Sequence, residues 1–191
     1  MKLNVGCGSK KLEGYLNVDK YAVGDPDMVM DAEITPWPFE DNTFDEVAFI
    51  HCLEHLGART EVFFGLIQEL HRVCKPFANV LIVVPHPRHD SFMNDPTHVR
   101  AITPEILALF SKRRCHEWAA AGDANSPLAL HLDVDFEVLN SQMKLEPRYA
   151  KRLAEREITQ VELMDIIATV NNVVIESRIN MQVIKPEPVS P

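Results

Sequence analysis

The sequence predicts an α/β fold: a mostly parallel sheet of about seven strands, the last one antiparallel, with helices on its flanks. Three observations predict it. Short apolar runs without polar alternation recur through the first half of the chain, as in strands buried on both faces. An amphipathic helix pattern separates two of these runs, an order that gives a right-handed parallel crossover. A glycine turn, Gly6-Cys7-Gly8, directly follows the first run.

The elements follow in order. Residues 3–5, 15–19, 28–31, 47–50 and 79–84 read as the first five strands. Between the fourth and fifth lies a helix capped by Thr60, with Val62, Phe63, Leu66, Ile67 and Leu70 on one face. It ends near residues 72–74, ahead of Lys75-Pro76. The first crossover has room for barely one turn, so its helix is expected to be truncated. Thr103 and Pro104 start a short helix through Ile106, Leu107, Leu109 and Phe110. Residues 115–130 read as irregular. A sixth strand spans 135–145, and a long helix about 149–170, marked by Leu153, Ile158, Val161, Met164, Ile167 and Val170. The last strand, 173–184, is returned by that helix to pair antiparallel. Residues 1–185 read as one domain, and 186–191, in a proline-rich stretch, as a disordered tail.

A chain of 191 residues with 46% hydrophobic content buries a core without disulfides or metals. The net charge of −9 argues against a broad nucleic-acid-binding face. Lys112-Arg113-Arg114 reads as a solvated helix end. Cys7, Cys52, Cys74 and Cys115 form no C-x-x-C pair, so neither a zinc ribbon nor a thioredoxin-like site is indicated. With no signal-peptide pattern and no bilayer-length apolar run, a cytoplasmic setting without a membrane partner is expected.

The glycine turn and two acids suggest a ligand. Asp19 ends the second strand, where an acid accepts the ribose hydroxyls of a nucleoside, and Asp31-Ala32 ends the third, where it meets an adenine edge. All three features lie at strand carboxyl ends, the ligand-binding side of open α/β sheets. The spacing argues against NAD and nucleotide sugars. The dinucleotide pattern wants a third glycine and an acid about 20 residues on. Here that glycine is missing, and Asp19 follows Gly8 by eleven residues. A pyrophosphate would lack a helix N-terminus. A nucleoside without phosphate fits better, and S-adenosylmethionine, with its cationic sulfonium, suits an acidic pocket.

The pieces Leu3-Asn4-Val5-Gly6-Cys7-Gly8, Leu16-Asn17-Val18-Asp19, residues 37–45 (WPFEDNTFD), His51-Cys52-Leu53-Glu54-His55-Leu56 and Glu69-Leu70-His71-Arg72-Val73-Cys74-Lys75-Pro76 resemble the class I methyltransferases, particularly the small type 11 group. The resemblance covers roughly residues 3–110 and implies a Rossmann-like fold. It implies a cofactor site of Val5, Gly6, Cys7 and Gly8 along the methionine portion, Asp19 on the ribose, Asp31 and Ala32 at the adenine, and His51 nearby. Phe39 is expected in the core. Three departures stand out: Asn4 replaces the usual acid before the first glycine, Lys10 replaces the third glycine, and no helix precedes the first strand. A homodimer partner is one way to complete such a pocket.

Residues 85–130 form the acceptor side. Pro85-His86-Pro87-Arg88-His89-Asp90 and Asn94-Asp95-Pro96-Thr97-His98-Val99-Arg100 follow the fifth strand, where acceptors dock. His86, His89, Asp90, Asp95 and His98 are metal-ligand types, but their spacing matches no standard zinc pattern, and no metal is expected. Methyl transfer needs donor and acceptor held in line, and a hydroxyl acceptor needs a base. His98 and His86 are the first candidates, with His51 behind them. Arg88 and Arg100 are candidates for an anionic acceptor group. His55 is expected to pack locally and His71 to lie on the outer run of its helix. The expected activity is methyl transfer to a small-molecule or glycan-type acceptor at oxygen. The competing expectation is a non-catalytic Rossmann-like nucleoside-binding or assembly module.

Overall fold

Strands β1 (Lys2–Val5), β2 (Leu16–Asp19), β3 (Met28–Val29), β4 (Phe44–Ile50) and β5 (Cys74–Pro85) run parallel, and β7 (Val174–Val183) runs antiparallel to both β5 and β6 (Phe136–Leu145). The sheet order is β3-β2-β1-β4-β5-β7-β6 in this computed structural model, which describes residues 1–186. The tail expected at 186–191 lies, beyond Pro186, outside the described residues. The fold is thus the expected mixed Rossmann-like sheet with one reversed strand.

Register explains the core. Leu3 pairs with Leu16 and Val47, and Val5 with Val18 and Phe49. Alternate residues share a face, so these side chains, with Val80, Ile82 and Val84, form one apolar surface. Helix α1 (Thr60–Val73) adds Phe63, Leu66, Ile67 and Leu70, and α3 (Pro104–Ala108), which follows the short α2 (Asp90–Met93), adds Leu107. Burying each such side chain stabilises by about 1.5–3 kcal/mol. Phe39 packs edge-on against Phe44, as expected of a core residue.

Local chemistry moves several boundaries. Arg59, not Thr60, is the N-cap of α1, because its carbonyl accepts from Val62 and Phe63. β5 starts five residues early, at Cys74. Pairing jumps from Phe44–Cys74 to Glu46–Asn79, so Pro76 sits in a bulge, where a strand tolerates it. Residues 115–130 are not irregular: α4 (Lys112–Ala121) and α5 (Leu128–Leu132) occupy most of them. The Ser111 hydroxyl caps α4, Ala119-Ala120-Ala121 favour it, and left-handed Gly122 ends it. The basic run therefore starts this helix rather than ending one, and it pairs with Glu117, Asp133 and Glu137. The long helix is two, α6 (Pro147–Ala154) and α7 (Gln160–Thr169). Arg156 turns left-handed between them, and Thr159 and Glu162 form a capping box that restarts the helix. His71 is not on the outside. Its ring meets Phe136 edge-on at 5.4 Å, and burial pushes its pKa down to about 4.

The first crossover carries no α-helix at all among the described residues. Residues 6–15 cross from β1 to β2 as a loop, and two buried asparagines hold it. Asn4 Nδ2 donates to Asn17 Oδ1 at 2.9 Å and to the Lys10 carbonyl. Asn17 Oδ1 also accepts from Leu12 N, while its Nδ2 donates to the Leu12 and Tyr15 carbonyls and to Asp27. An acid at position 4 would set oxygen against oxygen here. Asn4→Asp is expected to cost about 2–3 kcal/mol, because buried acceptors would lose their donor. The shift of the urea unfolding midpoint measures this.

Candidate active site

The carboxyl ends of β1 to β4 enclose a cleft of about 500 Å³. Its wall includes Val5, Gly6, Gly8, Asp19, Asp31, Ala32 and His51, all singled out from sequence. Cys7 lies in a smaller adjoining hollow with Gly6, Gly8 and His51. Lys20, Tyr21, Met30, Glu33, Cys52, His55, Leu56 and Thr97 complete the cleft. Sequence reasoning assigned none of these to the ligand. A volume in this range suits a small organic ligand.

Gly6 turns the chain with φ +68°, and its N–H donates to Val18 O. A Cβ there would lie 2.1 Å from Cys52 Sγ. Asp19 is held by its own loop: Oδ2 accepts from Gly8 N at 2.8 Å and Oδ1 from Tyr21 N at 2.9 Å. Each oxygen keeps a further lone pair. Asp31 accepts from Glu33 N and pairs with Lys20 Nζ at 2.8 Å. Burial pulls its pKa upward, but Lys20 and the Glu33 N–H together outweigh this and hold the carboxyl below its ordinary range.

His51 follows directly on the exposed end of β4. Its backbone is left-handed, φ +52°, pinned by an N–H bond to Val83 O. Such a conformation is uncommon outside glycine and raises strain at the tip. The side chain is 43% exposed, so solvent and small molecules reach it. Nε2 lies 2.9 Å from Glu176 Oε2 on β7, and Nδ1 lies 3.7 Å from Glu54 Oε1. Glu54 and Glu176 raise the pKa of His51 against the effect of burial. Glu54 itself is 1% exposed, and its Oε2 has no hydrogen-bond partner.

The other proposed groups are placed differently. His98 is outside the cleft wall, its Nδ1 bonded to Phe92 O and its ring between Phe92 and His55. His86 Nδ1 accepts from Arg88 N, and burial lowers its pKa. Arg88 commits its guanidinium to Asn171 Oδ1 and to the carbonyls of Ile167 and Ala168, clamping the end of α7. Arg100 donates to Gly57 O and stacks 4.2 Å from the centre of the Phe63 ring. His89 pairs with Glu146. The structure thus brings His51 to the cleft and leaves His86, His98, Arg88 and Arg100 in internal contacts. Glu176 was missed because only strand pairing brings so distant a residue to β4.

Residues 3–82 match the model of a methyltransferase domain family. Comparison with curated proteins finds no significant sequence match. Among solved structures, a SAM-dependent methyltransferase from Archaeoglobus fulgidus is similar at a TM-score of 0.57 and 21% identity, over 95% of this chain and 85% of that one. A SAM-dependent methyltransferase from Methanosarcina mazei gives 0.53 and 15%, over 97% and 92%. Phosphoethanolamine N-methyltransferase 2 of Haemonchus contortus, in complex with S-adenosyl-L-methionine, gives 0.51 and 17%, over 96% of this chain and 48% of that one. At these identities the likeness is one of fold.

The Gly6 turn yields a direct expectation. Gly6→Ala should destabilise the protein by about 2–4 kcal/mol, from left-handed strain and the clash with Cys52. Denaturant titration measures the loss.

Proposed function

We propose that this chain, whose residues 3–82 match a methyltransferase domain model, is a class I methyltransferase of the type 11 group and moves the methyl group of S-adenosylmethionine to a hydroxyl oxygen of a small molecule or saccharide. Residues 1–185 act as one domain, with 85–130 on the acceptor side. The observation that carries the reading is His51, a half-exposed imidazole in the cofactor cleft wall, oriented by Glu176 at 2.9 Å.

The residues present fit the cofactor. The Gly6 turn leaves room where a Cβ would collide, the loop offers no helix N-terminus for a pyrophosphate, and Asp19, Asp31 and Glu33 make the cleft acidic. Val5, Gly6, Cys7 and Gly8 flank the methionine portion, Asp19 takes the ribose hydroxyls, and Asp31 and Ala32 border the adenine. When bound, S-adenosylmethionine supplies an electrophilic methyl group on a sulfonium. The protein then has two tasks. It holds an acceptor oxygen in line with that group, and it removes the hydroxyl proton. Glu176 faces Nε2 and Glu54 faces Nδ1, and both carboxylates raise the affinity of the His51 ring for the proton it takes. His86 and His98 lack this access, because both are held in internal contacts.

Two variants test the reading. Asp19→Ala should weaken S-adenosylmethionine binding at least about tenfold in calorimetry, since charge-assisted hydrogen bonds to the ribose are lost. A folded wild type that binds neither the cofactor nor its demethylated product would return the chain to a non-catalytic module. His51→Gly relieves the left-handed strain, so its stability should stay within about 1 kcal/mol of wild type. Its cofactor binding should persist while methyl transfer to a panel of hydroxyl acceptors falls by about 10²–10⁴. Undiminished transfer by this variant would remove His51 from the chemistry.

A further inference from the structure

At the rim of the cofactor cleft, beside His51, one ligand atom from each of Glu54, His55 and His98 lies within 4.8 Å of the other two. We propose that these three residues bind a divalent first-row transition-metal ion such as Zn²⁺.

The side chains are set for it. Glu54 is buried, yet Oε2 has no hydrogen-bond partner. An ionised carboxylate so placed is costly unless a cation meets it. Arg100 does not pair with it: its guanidinium donates to Gly57 O and stacks on the Phe63 ring, and its Nε is left without a partner. His98 Nδ1 lies 2.9 Å from Phe92 O, which only accepts, so the proton sits on Nδ1 and the Nε2 lone pair is left over. His55 Nδ1 lies 2.9 Å from Thr97 Oγ1 and near Thr97 O, which fixes the same tautomer, and its Nε2 stands 4.0 Å from Glu54 Oε1. Histidines that ligate metals carry this arrangement, one nitrogen anchored by an oxygen and the other on the ion.

The backbone ties the two segments together. Glu54 and His55 lie on one 3-10 turn, and the Glu54 carbonyl accepts from Val99 N and Arg100 N, fixing the residue next to His98. Asp95 shapes the preceding turn through Thr97 and stands 3.8 Å from His98 Nε2 as an outer carboxylate. Tetrahedral zinc with bonds near 2.1 Å has ligand separations of about 3.4 Å, so atoms up to 4.8 Å apart need to draw in by as much as about 1.4 Å. Two imidazoles and one carboxylate select a borderline metal over Mg²⁺ or Ca²⁺ and leave a coordination position open. The site rests on these three side chains alone and is independent of the acceptor reading above.

The test uses tag-free, chelator-treated full-length protein. Zn²⁺ is titrated by calorimetry and Co²⁺ by visible absorption, with S-adenosylmethionine binding measured on the same samples. One ion per chain is expected. Affinity should fall at least about tenfold in Glu54→Gln and in His98→Ala, and stay unchanged in Asp19→Ala. The Co²⁺ spectrum should show d–d bands without thiolate charge transfer, a readout on wild type alone should the variants not fold. Absence of saturable Zn²⁺ binding overturns the proposal even if the cofactor binds. So does undiminished affinity in both ligand variants, or a thiolate band implicating Cys52 or Cys7. Metal binding without cofactor binding leaves this site standing and removes the methyltransferase reading instead.

Discussion

The cofactor side of this protein hangs on a pair of buried amides. Asn4 and Asn17 face each other across adjacent strands and take up the backbone groups of a loop where a crossover helix would otherwise satisfy its own. Backbone groups that face a buried pair of side chains need partners there, because burying them unpaired is costly. Two asparagines supply both donors and acceptors, which an aspartate cannot. The loop then presents Gly6 and Gly8 where the cleft needs them, and its amide at Gly8 fixes Asp19. The missing acid before the glycine turn and the missing helix thus have one cause.

The site gathers residues from separate parts of the chain around one strained point. His51 stands on the end of β4, Glu176 reaches it from β7, and Glu54 lies one turn further on. His51, left-handed in its backbone, lines the cleft with both ring nitrogens facing carboxylates. The surrounding sheet over-determines that conformation through the Val83 bond.

Much of this was legible in the sequence. Apolar runs located the strands because parallel sheets bury both faces, and the glycine turn with Asp19 and Asp31 marked one wall of the cleft. The helical stretch 112–132 was hidden, since charge and short apolar segments masked it and capping by Ser111 and Gly122 decided it. The break at Arg156 was hidden as well, because periodicity continues across it while the capping box restarts the helix. Among the histidines, residue type alone could not rank them. His98 and His86 lie in a polar loop like that of many sites, but the hydrogen bonds that turn them inward depend on Phe92 and Arg88. The meeting of Glu54 and His55 with His98 depends likewise on two backbone bonds that no spacing rule contains.

The helix-free crossover has a consequence for motion. Helix α1 connects β4 to β5 and packs into the core, whereas β1, β2 and β3 are connected by loops with no α-helix between them among the described residues. Local unfolding follows such differences, so the edge bearing the glycine turn should exchange its amide hydrogens first. A ligand seated there would close that opening and contribute its binding free energy to the folded state. In such a protein, saturation with cofactor and the local order of its first three strands are two descriptions of one equilibrium.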